Sequence, residues 1–425
     1  MTVRPESSRT LISVAEALAF VRAEARPLPP IRLGLLDAQG TRLAEDVAAD
    51  IDLPPFDKAL VDGFAVRSAD VAGDSARLTV IEEIHAGEMP RFPLGPGQAT
   101  AIMTGAPLPD GADAVVMVEK TTRPDGATVI VPGPVAAGQN RLVRGREMRR
   151  GEVVVRAGSV LDAATSGVLA SVGATMPLLQ QRPTVWVVAT GDELVETEEI
   201  PGPGQIRNSN TVMLAALVEE HGGWAESWPI VPDRPEKLAS TFRDLLKSGD
   251  VLLVSGGVSA GKRDLVPEAF EAAGARNVFH KVRVKPGKPI WFGVGPDREE
   301  GPPTLVFGLP GNPVSGLVGF LLFVRPALAI LAGRGDSEPT MIYPLLDDYR
   351  HDDDRDVYRP SRLVSIDGLS RIDPLPSAGS SDLRAAASAD GFAIFPAGER
   401  MYQRGEPVGF LPIGPSRFAV RTSYS

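Results

Sequence analysis

Residues 251–264 read VLLVSGGVSAGKRD. The four apolar residues at the start are typical of a strand buried inside a sheet. The glycines and serines after them predict a loop whose backbone N–H groups can approach an anion closely. The stretch closes on Asp264. A carboxylate beside an anion-binding loop is chemically reasonable where a hard cation such as Mg²⁺ lies between the two.

Two further turns rich in glycine and polar residues follow predicted strands. Val185–Ala189 runs into residues 190–194 (TGDEL), and Leu305–Gly308 runs into residues 309–315 (LPGNPVS). Strands and helices alternate between about residues 182 and 333, which predicts a parallel sheet covered by helices on both faces. One such loop alone would be interpreted as a tight turn. Three of them at the carboxyl ends of parallel strands favour a phosphate or oxyanion site.

Capping signals and periodicity predict the other elements. Ser13 to Glu16 has a capping-box sequence, which predicts a helix from about residue 14 to 26. Beside the sheet we predict helices Thr211–His221 (capped by Asn210 or Ser209), Pro235–Lys247, Leu265–Ala273 and Val314–Leu331 (capped by Asn312), and strands Trp228–Val231, Val278–Val284 and Ile290–Val294. Short strands at Leu43–Asp52, Thr79–Ile84, Ala99–Met103, Ala114–Glu119, Thr128–Val131, Gly391–Phe395 and Pro407–Leu411 predict β-rich modules before and after this region.

The composition argues against several classes of protein. The chain has 425 residues and a formal net charge of −10, whereas nucleic-acid-binding proteins are usually basic. It contains no cysteine, which excludes disulfides, thiolate nucleophiles and cysteine-ligated metals. The longest apolar run, Val314–Val324, has 11 residues, too few to cross a membrane, and the N-terminus lacks a signal-peptide core. We therefore expect a cytoplasmic protein.

Carboxylates cluster in the predicted turns. Asp192 and Glu193 follow the first strand of the sheet, and Asp233 follows another. Structural alternatives exist for two of them. Asp233 alone is better explained as a cap of the helix that begins at Pro235, and Glu193 could stand at a helix start.

Basic residues alternate along residues 280–289 (HKVRVKPGKP). Lys281, Arg283 and Lys285 are expected on one face of a strand, and Lys288 follows across a Pro-Gly turn. A solvated edge strand guarded by lysines is the structural alternative, and it is favoured for Lys281. For Lys285 and Lys288 we favour a functional role, because an apolar run follows directly and indicates that both side chains point into a site.

Longer motifs occur together in one order along the chain. They are LPPFDKALVDGFAVRSADV, IMTGAPLPDGADAVVMVE, ATGDELV, GQIRNSN, SGGVSAGKRD, KPGKP and GLPGNPVS. With them the chain resembles, from about residue 10 to 412, the MoeA family of molybdopterin molybdenumtransferases, which is related to the E domain of gephyrin. The resemblance implies an α/β plus β multidomain fold. Its parts are an elongated linking domain (1–50 and 147–178), a β-rich module (51–146), a MogA-like α/β molybdopterin-binding domain (179–333) and a C-terminal β-barrel-like domain (334–425).

The resemblance also implies a reaction. Members of the family insert molybdate into adenylated molybdopterin with the help of Mg²⁺, release AMP and leave molybdenum on the dithiolene. They form homodimers, whose cleft combines the α/β and C-terminal domains of one subunit with the β-rich module of the other. A molybdopterin adenylyltransferase would act upstream, and molybdoenzymes or their chaperones downstream. Neither nucleic acid nor a membrane is implied as a partner.

Matching motif positions transfer the family's site residues to this sequence. The implied catalytic positions are Asp62, Thr104, Glu193, Asp233, Asp264, Lys285, Lys288, Pro310 and Pro313, with Asp264 and Glu193 as metal ligands. The implied positions for binding the cofactor precursor are Gly191, Asp192, Ser255, Gly256, Gly257, Ser259, Gly261, Asn312, Ser315 and Ser381. Lys285, Lys288 and Ser315 match positions that hold molybdate, and cationic and hydroxyl donors suit a tetrahedral oxyanion.

The chain departs from the family pattern at a few positions. Lys58 stands where an asparagine is usual, which adds a cation near the part of the cleft that the second subunit supplies. In the last domain the sequence around Tyr358 offers Arg355, Arg359 or Arg362 as a guanidinium for the oxyanion.

Three alternative functions follow from these observations. One is a gephyrin-like scaffold with weak or no catalysis, and another is a tungstate-handling paralogue. A third is a hydrolase of the CinA type built on the same α/β domain. The acids and lysines named above are all retained, which favours the molybdenumtransferase over the scaffold.

Overall fold

The computed structural model of the protein describes residues 11–258, 265–299, 301–335 and 340–414. The chain forms two compact units. Unit 1 contains the chain up to Ile31, Gly40–Arg42 and the chain from Leu179 onward, and unit 2 contains Arg32–Gln39 and Leu43–Leu178. The predicted site residues Ser259, Gly261 and Asp264 lie outside the described residues. The finer division into four domains stays a prediction.

A six-stranded sheet forms the centre of unit 1. Its strands lie in the order Trp224–Ser227, Thr184–Ala189, Val251–Ser255, Leu305–Leu309, Trp291–Val294 and Arg276–His280. The first four strands are parallel, but the last two pair antiparallel, so the prediction of a wholly parallel sheet is wrong at this edge. Only residues 281–290 and 295–304 join these strands. A parallel connection needs a crossover of about a dozen residues or more, usually with a helix.

The side chains of the sheet enter two apolar cores, one on each face. In the strand Val251–Ser255, Val251 and Leu253 belong to one core, and Leu252 and Val254 belong to the other. Every residue of this strand is buried. Burial on both faces explains why the sequence is continuously apolar, because neither face of the strand meets water.

The N-terminal helix, Val14–Glu24, packs into the first of these cores. Its predicted capping box is confirmed: the Ser13 hydroxyl oxygen accepts from the Glu16 N–H at 3.2 Å, and the Glu16 carboxylate accepts from the Ser13 N–H at 2.8 Å. The helix stops short of the predicted residue 26, and Ala25 already has extended backbone. Pro27 accounts for this, because the residue before a proline is disfavoured in helical conformation.

Three helices flank the sheet with boundaries close to those predicted, namely Ser209–Glu220, Pro235–Leu245 and Val266–Ala272. Asn208 caps the first of them, and its side-chain oxygen accepts from the Thr211 N–H at 3.2 Å, so neither Ser209 nor Asn210 is the cap. The N-cap of the second helix is Arg234, without a side-chain hydrogen bond. The interpretation of Asp233 as a helix cap is therefore wrong.

The predicted strand Trp228–Val231 is also wrong. The strand runs over Trp224–Ser227, directly after the glycines that end the preceding helix. Pro229 and Pro232 explain the shift, since proline cannot donate a hydrogen bond to a neighbouring strand.

A long apolar helix runs from Pro313 to Leu331 beside the sheet, and its middle turn, Phe320–Val324, is π-helical. The wide turn comes just before Pro326, which has no N–H for a regular helical hydrogen bond. By length and hydropathy this helix could span a membrane, but 83% of its apolar 18-residue window is buried inside the protein. It is therefore interpreted as a core helix.

A second sheet in unit 1 is built from C-terminal strands. Its order is Val284–Lys285, Asp356–Ile366, Gly391–Phe395, Pro407–Pro412 and Met341–Pro344, with Leu369–Pro374 paired to the second of these. Two strand pairs, Tyr349–Asp353 with Gly398–Tyr402 and Leu194–Val195 with Ile206–Arg207, and the helix Leu383–Ala387 complete this unit. The predicted strands at residues 391–395 and 407–411 are confirmed.

Unit 2 is mainly β-structure. A five-stranded sheet has the order Ala114–Met117, Gly63–Val66, Gln98–Ile102, Ser75–Ile84 and Thr128–Pro132. Shorter strand pairs are Lys58–Ala59 with Arg141–Leu142 and Val47–Ala48 with Val153–Val155, and the helix is Ala163–Ser171. The predicted strand Leu43–Asp52 is mostly wrong, because its short partner Val153–Val155 pairs only with residues 47 and 48. The α/β plus β multidomain fold is confirmed.

Removing the Phe270 ring tests the packing on one face of the central sheet. Phe270 is fully buried, and its ring centroid lies 4.8 Å from that of Phe242 and 4.6 Å from that of Trp291. We expect Phe270→Ala to lower the free energy of unfolding by about 3–5 kcal/mol, because a cavity is left behind. Urea unfolding, monitored by tryptophan fluorescence, measures the free energy of unfolding. Phe20→Ala is the control, since Phe20 is 40% exposed, and equal losses in both variants would contradict the packing described.

Candidate active site

Three strands of the central sheet end level with one another. Ala189 lies opposite Ser255, and Ser255 lies opposite Leu309. The loops that follow these residues surround a cleft of about 610 Å³. The predicted site residues among its lining are Glu193, Ser255, Gly256, Gly257, Pro310, Asn312, Pro313 and Ser381. The three glycine-rich turns therefore meet at one edge of the sheet, as the sequence predicted.

Two glycines on this edge are required by space as well as by backbone conformation. Gly256 has φ +106°, and a Cβ there would lie 2.4 Å from the carbonyl oxygen of Thr190. Gly191 has φ +150°, and a Cβ there would lie 2.6 Å from a carboxylate oxygen of Glu193. A side chain at position 256 would push the loop away from the Thr190 backbone, and one at position 191 would displace the Glu193 carboxylate.

Asn210 joins three segments of the cleft, a role that the sequence analysis missed. Its amide nitrogen donates to the Ser255 hydroxyl at 2.7 Å and to the Gly311 carbonyl at 2.8 Å. Because a carbonyl can only accept, the nitrogen side of the amide must face Gly311. The motif GQIRNSN contains Asn210, but nothing in its spacing indicates which loops the side chain would reach.

Two polar atoms at the cleft have no hydrogen-bond partner within the described parts of the chain. They are the hydroxyl oxygen of Thr190 and the side-chain oxygen of Asn210. Thr190 is only 2% exposed, and both residues line the cleft. Buried polar atoms are normally satisfied, so these two are suited to hydrogen bonds with a bound molecule.

The predicted carboxylates are placed differently from one another. Glu193 lines the cleft, whereas Asp192 and Asp233 are not among its lining residues. Gly191, a predicted binding position without a side chain, is not among them either. A side-chain oxygen of Asp192 accepts from the Asp233 backbone N–H at 3.1 Å. That contact holds the segment before Arg234 against the first loop.

A second pocket, of about 380 Å³, adjoins the first. Pro289, Pro310 and Asn312 line both, so the two share a wall. The polar and charged residues of the second pocket are Lys285, Lys288, Asn312, Ser315, Arg355, Tyr358, Arg359, Ser377 and Ser380. We name it the cation pocket, because four basic side chains and no carboxylate are among its described lining residues.

The cationic segment does not form the single strand that the sequence predicted. Lys281 has φ +80°, and the Arg283 N–H donates to the Ile12 carbonyl at 2.7 Å. Only Val284–Lys285 is a strand, and it pairs with Asp356–Val357 of the second sheet. The prediction that Lys281, Arg283 and Lys285 share one face of a strand is therefore wrong. Lys285 and Lys288 nevertheless line the same pocket.

Asp353 lies beside two of the pocket's cations. Its carboxylate accepts from Lys285 Nζ at 2.5 Å and lies 3.6 Å from Arg355 Nε. Burial by itself raises the pKa of Asp353, but the hydrogen bond and charge of Lys285, together with Arg355, lower the pKa overall. The carboxylate is therefore ionised at neutral pH, and it forms ion pairs with both cations.

The segment around Ser380 contacts the start of the long helix. Asn312 Nδ2 donates to the Ser380 hydroxyl at 2.8 Å, and the Val314 N–H donates to the Ser380 carbonyl at 3.0 Å. The Val314 N–H, in the first turn of this helix, is therefore used within the protein. Arg362, in contrast, pairs with Asp373 at 3.1 Å and does not line the cation pocket, which leaves Arg355 and Arg359 as the guanidinium candidates.

Asp62 and Thr104 lie in unit 2, apart in the chain from the cleft and the cation pocket of unit 1. An Asp62 carboxylate oxygen accepts from the Thr104 backbone N–H at 2.7 Å and from its hydroxyl at 2.7 Å. The backbone hydrogen bond, followed by the hydroxyl, lowers the pKa of Asp62. Lys58, the departure noted above, lies 3.7 Å from the Glu147 carboxylate.

Three family models match successive parts of the chain. The MoeA N-terminal region (domain I and II) matches residues 12–173, and the probable molybdopterin binding domain matches residues 186–330. The MoeA C-terminal region (domain IV) matches residues 343–413.

Two curated relatives and a solved structure match this chain along nearly its whole length. A molybdopterin molybdenumtransferase of Synechococcus elongatus is 35% identical, over 94% of this chain and 98% of the relative. One of Staphylococcus epidermidis is 33% identical, over 95% of this chain and 96% of the relative. The crystal structure of a molybdopterin biosynthesis MoeA protein from Pyrococcus horikosii is 31% identical, covers 95% of this chain and 99% of that one, and has a TM-score of 0.80.

Family models, relatives and fold therefore agree with the motifs that line the cleft and the cation pocket. The chain belongs to the MoeA family.

Proposed function

We propose that this MoeA-family molybdenumtransferase takes adenylated molybdopterin and molybdate as substrates and releases AMP. The observation that carries the proposal is the wall of Pro289, Pro310 and Asn312 that the glycine-rich cleft shares with the cation pocket. A phosphate-bearing substrate in the cleft and an oxyanion in the cation pocket would then be neighbours. Holding two reactants side by side is a large part of what catalysis requires.

The cleft is assigned to the pterin and its phosphates. Loop Ser255–Gly257 lets backbone groups approach an anion, since Gly256 and Gly257 both have positive φ. Within the described ranges of the chain, Asn210 and Thr190 each place in the same cleft a polar side-chain atom that has no hydrogen-bond partner. These atoms suit the donors and acceptors of a heterocyclic ring or a phosphoester.

The cation pocket is assigned to molybdate. Lys285, Lys288, Arg355 and Arg359 offer charge-assisted donors, and the Ser315 hydroxyl lies among them. Such donors bind a tetrahedral dianion more strongly than neutral groups do. The sulfur ligands that replace oxygen on molybdenum come from the substrate's dithiolene, which is consistent with a chain that has no cysteine.

The described residues fit a Mg²⁺ that is held jointly by the protein and the substrate phosphates rather than by the protein alone. No group of three or more His, Asp or Glu side chains within the described ranges forms a metal site. Mg²⁺ commonly binds through one or two carboxylates together with substrate phosphates, and Glu193 is the carboxylate among the cleft's described lining residues. We assign Glu193 and Asp264 as its ligands, where its charge would favour departure of AMP from the cleaved phosphoanhydride.

A homodimer is proposed to complete the site. Asp62 and Thr104 belong to unit 2, whereas the cleft and cation pocket belong to unit 1. We propose that the partner subunit supplies Asp62 and Thr104 to the site. An upstream molybdopterin adenylyltransferase would provide the substrate in the cytoplasm, and molybdoenzymes or their chaperones would take the product.

Lys288→Ala and Asp264→Ala test the reaction in a single-turnover assay. Protein is mixed with adenylated molybdopterin, Mg²⁺ and molybdate, and AMP is measured. We expect Lys288→Ala to raise the molybdate concentration for half-maximal AMP release about tenfold or more, since a hydrogen bond between charged groups contributes about 1.5–3 kcal/mol to binding. Asp264→Ala should stop AMP release.

The control variant is Lys247→Ala, whose side chain is 69% exposed and pairs with Asp244. It should behave like the wild type. Tight binding of the adenylate without AMP release in the wild type would contradict the enzyme and support a scaffold.

Thr104→Val tests the environment of Asp62. The variant keeps the backbone donor and loses the hydroxyl donor, so the pKa of Asp62 should rise towards the ordinary value of about 3.9. NMR titration of the Asp62 carboxyl carbon measures the change. Thr121→Val is the matched control, because that hydroxyl donates to the Val118 carbonyl. If the pKa of Asp62 is the same in the wild type and in Thr104→Val, the Thr104 hydroxyl does not lower it, and this description of the Asp62 environment is wrong.

A further inference from the structure

Asp353 ends the strand Tyr349–Asp353, next to the turn that leads into Asp356–Ile366. Its side chain is 10% exposed, whereas that of Lys285 is 50% exposed. The residue is not among the lining residues of the cation pocket, although Lys285 and Arg355 are. The carboxylate therefore contacts two pocket cations without lining the pocket itself.

The two cations come from separate parts of the chain. Lys285 lies on the short strand that pairs with residues 356 and 357, and Arg355 lies in the turn just before them. Asp353 contacts both, through Lys285 Nζ at 2.5 Å and Arg355 Nε at 3.6 Å. It also accepts from the Arg355 backbone N–H at 3.2 Å. One carboxylate thus restrains two long, flexible side chains.

We propose that Asp353 is a positioning residue for molybdate, which orders Lys285 and Arg355 before the oxyanion binds. The inference rests on the proposed function, because it takes the cation pocket as the molybdate site. Lysine and arginine side chains lose rotamer freedom when they are fixed in one position. A pocket whose cations are already ordered avoids part of that cost during binding.

Removing the carboxylate has two opposite physical effects. Its negative charge repels a dianion, so loss of the charge alone would strengthen molybdate binding. Loss of the ion pairs frees Lys285 and Arg355, which weakens binding. Lys285 and Arg355 line the pocket and lie 2.5 Å and 3.6 Å from Asp353, so their positive charges offset its repulsion of the dianion. We therefore expect the loss of order to dominate.

The experiment measures KM and kcat for both substrates with the full-length protein, and molybdate is the probe varied. Asp353→Ala should raise the KM for molybdate about tenfold or more, in line with the effect of removing outer partners of binding residues. The KM for adenylated molybdopterin and kcat should change less than about threefold. Asp353→Glu, which keeps the charge, should recover most of the loss.

Asp354→Ala is the matched control. Asp354 lies 3.3 Å from Arg355 Nε, but it is 91% exposed, and within the described residues it forms no ion pair with Lys285. The KM of Asp354→Ala for molybdate should stay within about twofold of the wild-type value, because an exposed ion pair contributes little.

An unchanged or lower KM for molybdate in Asp353→Ala would overturn the inference. So would an equal rise in both KM values with a lower melting temperature, which would indicate a purely structural role. If Asp353→Ala does not fold, Asp353→Asn takes its place, since it keeps the size and an acceptor for the Arg355 N–H. A wild-type KM for molybdate in Asp353→Asn would then overturn the inference. A wild-type enzyme whose AMP release does not depend on molybdate would instead contradict the proposed function.

Discussion

The level ending of three parallel strands is the constraint on which the site depends. Ala189, Ser255 and Leu309 lie in register, so the loops after them begin at the same height. Regular hydrogen bonding between the strands sets that register, and cores on both faces prevent the strands from sliding. Loops rich in glycine can then approach one another closely, and Asn210 joins two of them.

Charge in this protein is organised locally. The net charge of −10 would repel an oxyanion, yet four basic side chains line one pocket. Such a cluster is costly unless a counter-charge is present, because like charges at short distance destabilise each other. Asp353 provides that counter-charge from outside the lining and leaves the pocket wall cationic. The pocket can thus attract a dianion while its lysine and arginine stay ordered.

Much of the fold could be predicted from local sequence. The strand Gly391–Phe395 and the capping box of the first helix are confirmed, since the apolar run of the one and the capping residues of the other are local signals in the sequence. The predictions were wrong where pairing with a distant segment of the chain decides whether a strand forms. Residues 281–285 have a strand-like alternation, but only Val284–Lys285 meets a partner, Asp356–Val357. The antiparallel edge of the central sheet likewise follows from two connections too short for a crossover.

The sequence by itself determined the family, through the resemblance of its long motifs. It also determined the fold class and the three loops at one edge of the sheet, because apolar runs, glycines and caps act over a few residues. Only the tertiary structure decided which side chains meet. Asn210 reaches Ser255 and Gly311, and Asp353 reaches Lys285, 68 residues away along the chain. Spacing in the sequence carries no signal for such pairs, since chain segments far apart are brought together by the packing of the sheets rather than by local periodicity.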